Sequence, residues 1–567
     1  MKKNKRMKLA IVVAVLLIAL LAATFLIYKY IAPSSEKKDL NTVFKVKDKA
    51  VALVVDDELL EEYGKQLDGQ IYVPADVAMT YMDRRIYVDK EERTLSYATA
   101  NGVIVARAEE REFLLGKQRQ TANKPILRVV DGTSMVSLSF IKEHASCYCK
   151  EYKNPSRLVI MSSREATYTF ATLGSDTRVR TGPGKKYPYL TEVPEGDNVF
   201  VETDTKKENK YVAITTKDGV FGYIPEERME KTEKAAWTFE KTPESFAQQS
   251  LGEEVCLGWH QVTNETSSSS LPSTLSQATQ LNVLCPTWYA LSDNSGNFTS
   301  YANSSYVSQA HARGLKVWAL INDFKVGNGV KLSKVLAVTS NRTRLVNNLV
   351  ASAITHNLDG INVDFEKVTK DTAGAYLQFL RELTLKCHAN DLVVSVDNYS
   401  PANYNSYYDL AEQGRIVDYV ILMAYDEHYQ GDDEAGSVSS LPFVENGVKN
   451  VLAKVPKERM VTALPFYTRL WKVVKGKKPD SEAYGMSGAE SVVRANDATP
   501  KWNEATGQYY AQFKSGSATY KIWLEEETSL KKKLQVIKKN QCAGVAFWKL
   551  GFERAVTWTT IKEVMKK

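Results

Sequence analysis

DGINVDFE, residues 359–366, is the stretch on which the fold turns. Three polar side chains, Asn362, Asp364 and Glu366, occupy every second position of an apolar run. Successive side chains of an extended strand alternate between its faces, so these three share one face and Ile361, Val363 and Phe365 share the other. Burying two acids is costly unless they have a task. Close carboxylates also raise one another's pKa, which keeps a protonated acid available near neutral pH. The pattern alone leaves open a structural ion pair or a pair of metal ligands.

Outward from this stretch, short apolar runs recur between helical segments. They are 253–262, 281–291, 315–323, 392–397, 417–427, 460–467 and 543–550. Most are Val/Ile/Leu-rich rather than strictly alternating, as in parallel strands buried on both faces. With 359–366 they make eight, separated by helices such as 370–390 and 443–454, and the spacing predicts a (β/α)8 barrel. Polar groups collect at the strand ends: His260, Asp323, Asp364, Glu366, Asp397, Tyr425 and Asp426. In that architecture the C-terminal strand ends build the active site. Asn362, Asp364 and Glu366 therefore point into the barrel near its mouth.

DGINVDFE closely resembles the signature of glycoside hydrolase family 18, D-G-x-D-x-D-x-E, with Asp359, Gly360, Asp364 and Glu366 matching and Asn362 replacing the middle acid. The resemblance runs over 253–560. MAYD (423–426) is similar to the sixth-strand motif, Leu464-Pro465-Phe466-Tyr467 to the seventh, and Phe547-Trp548 with Leu550-Gly551 to the last. The text from Tyr520 to Glu553 resembles the branch of bacterial wall hydrolases. The resemblance implies a (β/α)8 (TIM) barrel with a small α+β insertion over 250–567. It implies Glu366 as general acid, then base, and the substrate's own acetamido carbonyl as nucleophile, an exception to the two-carboxylate scheme. Asp364 then stabilises the oxazolinium, Tyr425 and Asp426 hold the sugar, and Trp548 forms its apolar floor. Asn362, donating a hydrogen bond to Asp364, together with Tyr467 and Trp288, completes the expected substrate-binding set. Asp359 and Gly360 are the structural part of the motif. No cofactor is implied, and no histidine pair near the motif predicts a metal.

The mechanism calls for an N-acetylated polysaccharide. Peptidoglycan is the expected partner, and chitin or its oligosaccharides the alternative; a non-catalytic wall-binding surface protein is a third reading. Aromatic residues able to stack on sugars are Trp259, Trp288, Tyr289, Trp471 and Trp502.

The rest of the chain predicts a multidomain, exported protein. Leu9–Tyr28 is twenty residues without a charge, long enough to span about 30 Å of hydrocarbon. Residues 1–8 then form a cytoplasmic basic tail and 9–31 a transmembrane signal anchor, placing the bulk outside the cell membrane; cleavage and secretion is the alternative. Lys2, Lys3, Lys5, Arg6 and Lys8 account for five of the net +7, so the remainder carries no electrostatic footprint for nucleic acid. Six cysteines in 567 residues exclude a disulfide-dense scaffold and form no zinc pattern.

Between the anchor and the barrel, 40–163 repeats a Gly–strand–helix unit at 69–83 and 132–146. It is similar to the N-terminal domain of copper amine oxidases, a small α+β domain, with His144 its only histidine and no copper implied. Residues 166–229 resemble the bacterial SH3-like β-barrel through Val179, Arg180, Gly182 and Pro183, and then Asp218, Gly219, Gly222, Tyr223 and Ile224. Residues 231–249 read as a polar linker.

Overall fold

The computed structural model describes residues 2–202, 208–242 and 244–565. The start of the expected basic tail at Met1, residues 203–207 of the SH3-like segment, residue 243 of the linker and residues 566–567 lie outside the described residues. The chain divides into two compact units. One comprises residues 1–86, 107–111 and 122–243, and the other residues 87–106, 112–121 and 244–567.

The first unit opens with a helix, Lys2–Ile31, whose apolar side chains are exposed along its length. Over Asn4–Ile31 it is long and apolar enough to cross a membrane. A seven-stranded sheet follows. In it Gln70–Pro74 and Thr133–Ser137 pair antiparallel, Val73 opposite Val136. Each of the two strands follows a glycine with positive φ, Gly69 or Gly132, and runs straight into a helical segment, so the repeated unit in the sequence is a structural repeat.

A second seven-stranded sheet, all antiparallel, encloses Ala171, Leu173, Val179, Val199, Val212, Ile214 and Ile224. It extends further than expected. Met229–Ala236 is a strand paired with Thr167–Leu173, so 231–236 is not linker. Its side chains are almost all exposed, which is why no apolar alternation marks it. The turn at Asp218-Gly219 docks on the first sheet. The guanidinium of Arg157 donates to the Asp218 carbonyl at 2.6 Å and pairs with its carboxylate. A Cβ on Gly219, which has a φ of +78°, would meet Val159 at 3.0 Å.

The second unit holds a closed barrel of eight parallel strands: β1 Val255–His260, β2 Val283–Pro286, β3 Lys316–Asn322, β4 Gly360–Asp364, β5 Val393–Tyr399, β6 Tyr419–Met423, β7 Met460–Pro465 and β8 Gly544–Trp548. β8 pairs with both β7 and β1, and β2 with β3, which closes the ring. Alternation sorts the side chains. Leu257, Trp259, Trp318, Leu320, Ile421 and Ala463 fill the interior, while Ile361, Val363, Val394 and Val396 pack outward with the helices. Between β7 and β8 sits the α+β insertion, a five-stranded antiparallel sheet with the helix Met486–Ala495.

The segment expected as one module at 40–163 is divided. Its central meander, from Tyr87 to Thr121 apart from residues 107–111, belongs to the barrel unit. The Tyr87 hydroxyl donates to the Ala337 carbonyl at 3.2 Å, and Asp89 accepts from the Thr339 amide at 2.7 Å. Arg342, fully buried, pairs with Glu382 at 3.0 Å and donates to Ser96 at 3.2 Å. These groups would be stranded in the barrel without the meander over them, so packing overrides sequence contiguity.

Candidate active site

β4 builds the site from its base upward. Asp359 precedes it, and its carboxylate accepts from the Val317 amide at 2.8 Å, from Lys316 at 2.9 Å and from His311 at 2.7 Å. These bonds hold the foot of the strand. A Cβ on Gly360 would meet the Trp318 ring and the Val393 carbonyl, each at 2.7 Å, so only glycine fits between β3 and β5. At the upper end, Asp323 lies fully buried after β3 and accepts the backbone amides of Glu366 at 3.0 Å and Lys367 at 2.8 Å. This fixes where the chain carries the Glu366 side chain. Burial pushes Asp323 up to about 6 even against those two bonds.

The mouth encloses a cavity of about 140 Å3. Its acids are Asp364, Glu366, Asp397 and Asp426; its rings are Trp259, Phe324, Tyr399, Tyr425 and Trp548; Leu320 and Met423 complete it. The Glu366 pKa is raised above the usual carboxylate range, by burial first, against a lowering hydrogen bond from the Tyr399 hydroxyl. Asp364 is hydrogen-bonded to Glu366 and raised well above its ordinary value by burial, then by the charges of Asp397 and Glu366. A raised carboxyl can supply a proton near neutral pH, and two adjacent acids with unequal surroundings can divide donor and stabiliser roles. Trp548 stands 6.0 Å from Trp259, ring centre to ring centre, and its carbonyl accepts the Phe466 amide at 2.7 Å. Asp426 adopts a φ of 55°, in the left-handed region that Asp tolerates, and accepts from the Tyr467 hydroxyl.

Of the residues expected from sequence, Asp364, Glu366, Tyr425, Asp426 and Trp548 meet at this cavity. Three do not line it. Asn362 is fully buried one layer below Asp364, and its amide donates to Ser395 and to Asp397, each at 2.9 Å, not to Asp364. Its carbonyl accepts from the Trp259 indole at 3.1 Å. Trp288 is packed edge-on against Tyr306 in the outer core. Tyr467 acts behind Asp426. Among the stacking candidates only Trp259 reaches the cavity. Tyr289 and Trp471 are fully buried elsewhere, and Trp502 packs on Tyr509 in the insertion. His260 is tied between Tyr306 at 2.7 Å and Ser270 at 3.0 Å, and burial lowers it to about 4.

Asp397, expected at a strand end, lines the cavity; Tyr399 and Phe324 were not foreseen. The alternation that marks β4 also runs through Ser395, Asp397 and Tyr399 on β5, and reading it there would have found Tyr399. Among the described residues no group of three His, Cys, Asp or Glu side chains is arranged to hold a metal ion.

Comparison with known proteins agrees with this arrangement. The family described as glycosyl hydrolases family 18 matches residues 256–553. The uncharacterized glycosylase YvbX of Bacillus subtilis (strain 168) is 25% identical over 299 residues, covering 51% of this chain and 86% of that protein. The cortical fragment-lytic enzyme of Bacillus anthracis is 22% identical over 238 residues, covering 41% of this chain. The chain spans 55% of that enzyme's length. The crystal structure of the Bacillus cereus spore cortex-lytic enzyme SleL shares the fold, with a TM-score of 0.51 at 18% identity over 59% of this chain and 78% of that one. With the match covering more than half its length and the barrel carrying the acids at its mouth, the chain belongs to glycosyl hydrolases family 18 and is a glycoside hydrolase.

Proposed function

We propose that the protein is a membrane-anchored, extracytoplasmic hydrolase that cleaves peptidoglycan after N-acetylglucosamine with net retention, by substrate-assisted catalysis. The observation that carries this reading is the pairing of Glu366 with Asp364 at the base of a cavity walled by Trp548 and Trp259. Glu366, its pKa raised by burial, protonates the glycosidic oxygen. The acetamido carbonyl of the sugar attacks the anomeric carbon. Asp364 orients the acetamido nitrogen and offsets the positive charge of the oxazolinium. Tyr425 donates to the acetamido oxygen, Asp426 positions the sugar and Trp548 supports its apolar face. Glu366, now ionised, takes a proton from the water that opens the ring.

The choice of peptidoglycan draws on the upstream parts and on relatives named for cortex lysis. The exposed apolar helix Asn4–Ile31, following basic residues, fits a signal anchor. The antiparallel sheet that includes Thr167–Leu173 and Met229–Ala236 fits an SH3-like wall-binding module, and the sheet built on the repeated Gly–strand–helix unit fits a copper-amine-oxidase-N-like spacer.

The test is digestion of purified peptidoglycan and chitin side by side, with mass analysis of the fragments and a thiazoline analogue of the cyclised acetamido group as inhibitor. Peptidoglycan fragments ending in reducing N-acetylglucosamine, inhibited by the thiazoline, are expected. Fragments from chitin alone would make the protein a chitinase. Binding to wall with no fragments from either polymer would leave a non-catalytic surface protein.

A further inference from the structure

β4 and β5 run parallel in a register that sets Asn362 beside Ser395 and Val363 beside Val396. One step further up, the inward positions are Asp364 on β4 and Asp397 on β5. Both side chains are buried and both line the cavity. Asn362, one layer below, donates its amide to the Asp397 Oδ1 at 2.9 Å and is itself held by the Trp259 indole. The carboxyl group on β5 is therefore gripped from beneath by a neutral donor. The buried Oδ1 of Asp364 has no hydrogen-bond partner.

We propose that Asp397 is a positioning residue for the reaction: gripped by Asn362, its carboxyl group forms with Asp364 a two-strand acid pair that sets the protonation of Asp364 and Glu366. This rests on the roles proposed above for those two residues. Burial raises Asp397 well above the usual carboxylate range, and the donated amide lowers it against that burial. Two carboxylates confined in one small cavity do not both ionise readily, so the pair retains a proton. The pair titrates as a unit rather than as two independent acids. The titratable groups that interact with Asp397 across the barrel are Cys285 on β2, Asp364 and Glu366, Tyr376 on the outer helix Ala373–His388, and Tyr425 after β6. None of these is a cation; the charge of Asp397 raises Asp364, and the charge of Glu366 raises Asp397.

The experiment compares wild type with Asp397→Asn, the swap Asn362→Asp/Asp397→Asn, and Glu366→Gln as control, all as full chains matched for thermal melting. The activity probe is an aryl glycoside of the β-1,4-linked N-acetylglucosamine disaccharide. The second readout, independent of turnover, is the infrared carbonyl band of a protonated carboxyl group followed against pH. For Asp397→Asn we expect kcat to fall about tenfold, the effect of one pKa unit, with KM little changed. The alkaline limb of kcat and the pH at which the infrared band disappears should both move to lower pH. The swap should restore part of both. Wild-type kcat, pH profile and infrared titration in Asp397→Asn, with Glu366→Gln inactive, would overturn this proposal and leave the hydrolase reading intact. Wild-type turnover in Glu366→Gln would overturn that reading instead, and the infrared titration would still decide whether Asp397 governs Asp364.

Discussion

Tyr399→Phe isolates one hydrogen bond at the proposed proton donor. The hydroxyl at the end of β5 donates to the Glu366 Oε2, which favours the ionised carboxyl group and holds its pKa below the level burial alone would set. A hydrogen bond to a charged group is worth about 1.5–3 kcal/mol. Tyr399 is 36% exposed, so water competes for the bond, and screening at such a site reduces it to about 1 kcal/mol. At 1.36 kcal/mol per pKa unit that is roughly 0.7 unit. Removing the hydroxyl therefore raises the Glu366 pKa. The alkaline limb of kcat, where the acid loses its proton, should move up by roughly 0.7 unit, with the plateau rate lowered less than about tenfold. The assay is a pH–rate profile on the aryl disaccharide across the alkaline limb. A limb that stays put or moves to lower pH would refute the assignment of that limb to Glu366.

Three further outcomes follow from the packing and the charges. Arg342→Met leaves Glu382 buried without its cation and should destabilise the barrel unit by about 3–5 kcal/mol in denaturant unfolding, with Arg342→Met/Glu382→Leu recovering most of it. The Asp364 pKa is higher folded than unfolded, so the folded state holds a proton that the unfolded state has released, and stability from this group falls as pH rises above about 4. Asp364→Asn should flatten that part of the stability–pH curve and raise the melting temperature at pH 7 while slowing turnover; an unchanged curve would contradict the buried, raised carboxyl. Turnover should persist in a chelator, and complete loss restored by one divalent ion would replace proton-transfer chemistry with metal chemistry.

What the sequence makes legible here is faces, not depths. Alternation places Asn362, Asp364 and Glu366 inward together, but only the packed barrel shows that Asn362 lies a layer lower, bonded to β5 and Trp259 rather than to sugar. Trp288 and Tyr467 fail as lining residues for a related reason, because an aromatic near a strand end can pack outward as easily as inward. The same period-two reading applied to β5 would have brought Tyr399 into the site beside Asp397. The strand Met229–Ala236 escaped because a nearly fully exposed edge strand carries no apolar contrast. The meander of Tyr87–Thr121 escaped because contiguity in sequence says nothing about which neighbour its Tyr87, Asp89 and Ser96 will satisfy.

The role proposed for Glu366 is to transfer the proton that breaks a glycosidic bond next to an N-acetylated sugar. Its most direct measurement is the rate of reducing-end release from purified peptidoglycan by Glu366→Gln against wild type, with glycan binding measured on the same preparations. Gln keeps the shape and the Tyr399 contact can persist, but there is no proton to give. Turnover should fall by about 10²–10⁴-fold with binding retained. Release at the wild-type rate by the Gln variant would contradict the account.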